Sequence, residues 1–172
     1  MSAIFILTAG AVGVDFDAGP YSVSLDMNGQ EPETKVIGPL PGQSGDGAAF
    51  SMYQVWLNHS DSATMIVITG YQDQRMVTTA GLKDLAEGHL KTFLGCTDVT
   101  SGERTIDGHS GVVAFGSAPS GRKWMSAGYW PDEGVSPEGK TGTVQVALAS
   151  CSTQEVKDRL LDSIHVELAP EE

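Results

Sequence analysis

Residues 21–27, YSVSLDM, alternate with period two: Tyr21, Val23, Leu25 and Met27 fall on one face, Ser22, Ser24 and Asp26 on the other. Such alternation belongs to a half-buried strand. It runs into Asn28-Gly29, a turn dipeptide. Residues 29–49 are rich in Gly and Pro and lack a period, which predicts a long loop. Alternation returns over 50–59, and 63–71 form a continuous β-branched run. With Ser60-Asp61-Ser62 between them, these two segments read as a hairpin. The period then changes. Leu82, Leu85, Ala86, His89, Leu90, Phe93 and Leu94 recur at helical spacing, which predicts an amphipathic helix over 79–94 ended by Gly95, with His89 on its core-facing side.

Three more strands are expected at 105–116, 122–130 and 142–150. Ser152 and Glu155 stand in capping-box register, so a closing helix should start just after Ser152, with Val156, Leu160 and Ile164 facing inward. The order β-β-β-α-β-β-β-α, with short links between strands, predicts an α+β fold: an antiparallel sheet of about six strands flanked by helices. One domain covers 19–168. Residues 1–18 are a separate N-terminal segment, either a leader remnant or an edge strand, and 169–172 are a tail.

A chain of 172 residues can bury a core without metal or disulfide support. Its net charge of −12 argues against nucleic acid or an anionic membrane as partner, because both recruit clustered Lys and Arg. No apolar run approaches membrane-spanning length, so membrane insertion is not expected. Cys96 and Cys151 have no paired metal-ligand spacing. Bridged, they would add roughly 4 kcal/mol by chain entropy and would fit an exported protein; unbridged, they are buried thiols.

Gly108-His109-Ser110-Gly111 resembles the nucleophile elbow of a serine hydrolase, with His165 and Asp162 as nominal partners. The elbow needs Gly at the fifth position and a helix after the serine; here Val112 and a β-branched run follow. Asp107-Gly108 reads better as a hairpin turn. Asp26, Asn28 and Glu31, with Asp15 and Asp17 nearby, are candidate calcium ligands, although the EF-hand pattern is missing. Trp124, Tyr129 and Trp130 are candidate partner-binding residues, since two tryptophans share a face thinned by Ser126 and Gly128. The competing reading is that a helix covers that face.

The strand at 21–27, the helix at 82–94, Ile106-Asp107-Gly108 with Gly111, and the closing segment 160–164 together resemble the PsbP/Mog-like fold. The resemblance implies an α/β/α sandwich that acts through its surfaces. The expected function is therefore a non-enzymatic protein-binding or assembly module outside the cytoplasm, using a sheet face or the loops 29–49 and 131–141. Its rivals are a serine hydrolase using Ser110 and a calcium-binding structural domain.

Overall fold

The computed structural model describes residues 13–60, 62–75, 78–131, 134–135 and 141–169. A main sheet runs in the order β3 (Glu33–Gln43), β4 (Ala49–His59), β5 (Ser62–Tyr71), β10 (Thr141–Cys151), β8 (Lys123–Tyr129), β7 (His109–Ser117), β6 (Thr97–Ile106), and the two-residue β9 (Gly134–Val135) pairs with β10. A second sheet holds β1 (Val14–Ala18), β2 (Tyr21–Leu25) and β11 (His165–Leu168), with β2 in the middle. All pairings are antiparallel. The helices are α1 (Thr79–Gly88) and α2 (Gln154–Ser163).

Period-two alternation decides which side chains meet. Tyr53, Val55 and Leu57 of β4, Ile66 and Ile68 of β5, and Val144, Val146 and Leu148 of β10 all point to the inner face and are buried. Against them pack Tyr21, Val23 and Leu25 of β2 and Val156, Leu160 and Leu161 of α2. Each fully buried aliphatic side chain contributes about 1.5–3 kcal/mol relative to exposure. The outer face has a smaller core, in which Leu82 and Ala86 of α1 and the following Leu90 meet Val112 and Ala114 of β7. Gly128 of β8 admits this helix: a Cβ there would lie 2.9 Å from Leu85 Cδ2.

The mixed, antiparallel architecture agrees with the sequence, but its layering does not. There are more than six strands, and the flanking layers are not two helical layers. The inner face is covered by a sheet plus α2, the outer face by α1 alone. Residues 33–43, expected within a loop, form the edge strand β3. This strand is exposed along most of its length, so nothing imposes an alternating pattern on it. Pro39 and Pro41 are tolerated there as on other sheet edges. The polar β6 likewise carries no strong alternation, and its turn to β7 is Asp107-Gly108, as the hairpin reading required, with φ of 53° and 75°.

Two helix boundaries also differ. Thr153, not Ser152, caps α2, its hydroxyl accepting from the Val156 amide at 3.4 Å. The first helix extends past α1, but His89–Phe93 wind as a π turn. The wider turn delays each side chain around the axis, so Phe93, expected to face the core, is 79% exposed. Gly95 (φ 61°) then lets the Cys96 amide reach back to the Leu90 carbonyl and close the helix.

Candidate functional site

The helix α1 lies over the β6–β7–β8 end of the outer face and leaves β10, β5 and β4 bare. The uncovered half is an open groove of about 710 Å³. Its floor is Met52, Gln54 and Trp56 of β4, Met65, Val67 and Thr69 of β5, and Gln145 and Ala147 of β10. Strand alternation brings these together, since they are the residues between the inward-facing ones. Leu85, His89, Thr92 and Phe93 form the wall. His89 is not enclosed by the core as expected: it lines this wall, with its ring edge-on to Phe93 at 5.7 Å. Burial holds its pKa below the usual histidine value, which favours the neutral ring. Among the described residues, Asp84 is the only formally charged lining residue at neutral pH.

Beyond Thr69 and Met52 the same face carries an aromatic row. Phe50 meets Tyr71 edge-on at 5.7 Å, and Tyr71 meets Trp130 at 6.0 Å. The Arg75 guanidinium lies 4.2 Å from the Tyr71 ring centre and pairs with Asp46 at 2.8 Å and Asp73 at 3.1 Å. Arg75 and Ser44 both donate to the Asp46 carboxylate and hold its pKa well below the usual range.

The expected partner-binding aromatics are divided between different environments. Tyr129 is fully buried on the inner face, so it offers no surface to a partner. Trp130 packs partly buried against the cluster under α1. Trp124 borders a separate cavity of about 410 Å³ with Lys123, Gln154 and the buried Lys157, whose ammonium donates to the Lys123 carbonyl at 2.8 Å. The floor residues of the groove were not singled out in the sequence; the signal available was the second, outward-facing set of apolar positions in β4 and β5, Met52, Trp56, Met65 and Val67.

The remaining candidates are accounted for by other partners. Asp26 accepts from the Asn28 amide at 2.7 Å with one oxygen and faces Arg159 at 3.5 Å with the other, while Glu31 is exposed. Among the described residues, no three His, Cys, Asp or Glu side chains are grouped to hold a metal. Ser110 is exposed on β7; His165 pairs with Asp107 at 2.7 Å and Asp162 with Arg104, so the three do not form a triad. Cys96 and Cys151 are buried and free, and the expected alternative of a disulfide is not formed. Of the loop 131–141, residues 132–133 and 136–140 lie outside the described residues, as do 1–12.

Asp107 is the structural meaning of the Ile106-Asp107-Gly108 motif. Its carboxylate accepts from the Tyr129 hydroxyl at 3.2 Å and the Val166 amide at 3.1 Å, and pairs with His165. It thereby ties the β6–β7 turn to β11 and joins the two sheets. Gly111 is needed beside it, because a Cβ there would sit 2.9 Å from Ile106 Cδ1 and 3.0 Å from the Gly128 carbonyl.

Scans of the chain against protein-family models, curated proteins and solved structures return no match. What the geometry defines is a class: an antiparallel α+β domain with one closed face and one half-open apolar face. No helix among the described residues is long and apolar enough to cross a membrane.

Proposed function

We propose that the chain is a non-enzymatic binding module that recognises a protein partner on the open half of its outer sheet face. The observation that carries this reading is a contiguous apolar groove with an exposed phenylalanine, Phe93, on its rim. Exposed apolar patches of this kind mark interaction sites, and aromatic side chains in them supply much of the binding energy. The groove is open along its length, which suits a protein surface better than an enclosed small molecule. The π turn that exposes Phe93 is a type of irregularity concentrated at functional sites. The PsbP/Mog-like resemblance, whose members act mostly through surfaces, points the same way.

A photoreactive residue introduced at Thr92, on the rim, tests the proposal in the cells that make the protein. The expected result is one adduct of defined mass, lost when Met65→Gln is added and absent when the photoreactive residue replaces the remote, exposed Glu155. Equal labelling from both positions, or none from Thr92, would overturn it.

A further inference from the structure

Resting on the binding-module reading, we infer that the occupant of the groove is a single amphipathic α-helix of the partner, with a basic outer face, lying beside α1. The argument begins with width. Sheet strands are spaced about 4.8 Å apart, so β10, β5 and β4 offer a floor about 10 Å across. An α-helix with its side chains is about 10–12 Å in diameter, and packed helices lie 8–10 Å apart. A helix centred between β10 and β5 therefore meets both the floor and α1, whose Leu85 already stands against Gly128 of β8, the strand next to β10. The main sheet carries half of a helical layer, and the groove has the dimensions of the missing half.

Length agrees with width. From Met52 to Trp56 the floor runs about 14 Å at strand rise, which a helix covers in about nine residues. Two or three turns place apolar anchors at i, i+3, i+4 and i+7 on that floor. Met52 and Met65 suit this role, because unbranched thioether side chains adapt to irregular apolar surfaces. A strand-like occupant is disfavoured at the sheet edge nearest the groove, where Pro39 and Pro41 interrupt β3 and its register with β4 shifts between Ile37 and Leu40.

Charge gives the helix its outer face. The groove presents Asp84 on the α1 side, within a chain of net charge −12. A helix with Lys or Arg on its solvent side meets Asp84 along the shared flank and is drawn to the acidic surface. A second copy of this chain brings its own −12 instead, so it is the less favourable occupant.

The test uses the full chain and two designed Leu/Lys peptides of 14 residues and identical composition, one with a single apolar stripe and one scrambled. Binding is read by calorimetry and by peptide helicity in circular dichroism. The expected result is one-to-one binding of the striped peptide with a gain of helicity. Its affinity should exceed that of the scrambled peptide by at least tenfold and fall at least tenfold in both Met65→Gln and Phe93→Ser. Asp84→Asn should weaken it severalfold at low salt. Equal binding of both peptides would mean charge alone and would overturn the inference. Insensitivity to both groove substitutions would also overturn it, as would concentration-dependent dimerisation abolished by Phe93→Ser. A defined Thr92 adduct combined with no preference for the striped peptide would leave the binding-module reading standing and remove only the helix.

Discussion

The two faces of the main sheet are built from the same strands, residue by residue in alternation, yet they have different fates. Toward the inside, Val55, Leu57, Ile66, Ile68 and Val146 are fully buried beneath the second sheet and α2. Toward the outside, their immediate neighbours Gln54, Trp56, Met65 and Val67 keep part of their surface exposed. One face has satisfied its apolar surface within the chain; the other has done so only under α1. A strand fixes which residues share a face, but not whether anything arrives to cover it. Surface left apolar on one side of a well-closed domain is where a partner gains most from burial.

The sharpest way to test this contrast is a matched pair of truncations. Leu57→Ala on the inner face should cost about 3 kcal/mol in urea unfolding, from lost burial and the cavity left behind. Val67→Ala on the outer face, only partly buried, should cost less than about 1 kcal/mol. Equal costs would mean that the outer face is as well packed as the inner one, and the open-face argument would fail.

A smaller effect concerns the tie between the sheets. Asp107→Ala strands the Tyr129 hydroxyl, buried at full depth, and leaves the Val166 amide without its acceptor. A loss of about 2 kcal/mol is expected, with binding at the distant groove unchanged. A loss of groove binding without a loss of stability would show that the two faces are coupled in a way the contacts do not explain.

The smallest effect is titration of the same tie. The hydrogen bond to Asp107 raises the His165 pKa above its usual value, and Glu167 at 3.4 Å adds to the effect. The stabilising contribution is therefore complete below the unfolded histidine pKa of about 6.5 and is lost as pH rises through the folded value. Because the ring is half exposed, it should amount to less than about 1 kcal/mol. The stability difference between the wild-type chain and His165→Gln should shrink as pH rises through neutrality. A difference that stays constant from pH 5 to 9 would remove His165 from the tie.

Much of the fold could be read directly from the chain. Alternation in 21–27, 50–59 and 142–150, the β-branched run 63–71 and the 3.6-residue period after Thr79 each report a local face, and local faces are what side-chain sequence encodes. Asp107-Gly108 could be read as a turn because a two-residue hairpin turn demands positive φ at both positions. β3 could not be read, since an exposed edge strand has no buried face to write a pattern. The π turn could not be read either, because a register slip in a helix leaves the spacing of apolar residues unchanged while turning Phe93 away from the core.

The sequence by itself determined the antiparallel α+β class, most strand faces, both helices and the acidic character of the molecule. Tertiary structure alone decided that Tyr129 is core, that Cys96 and Cys151 stay free, that Asp107 bridges two sheets, and that α1 covers only half of its face. The reason is physical. Which side of an element is apolar is a property of neighbours along the chain, whereas what covers that side depends on contacts between residues far apart in sequence.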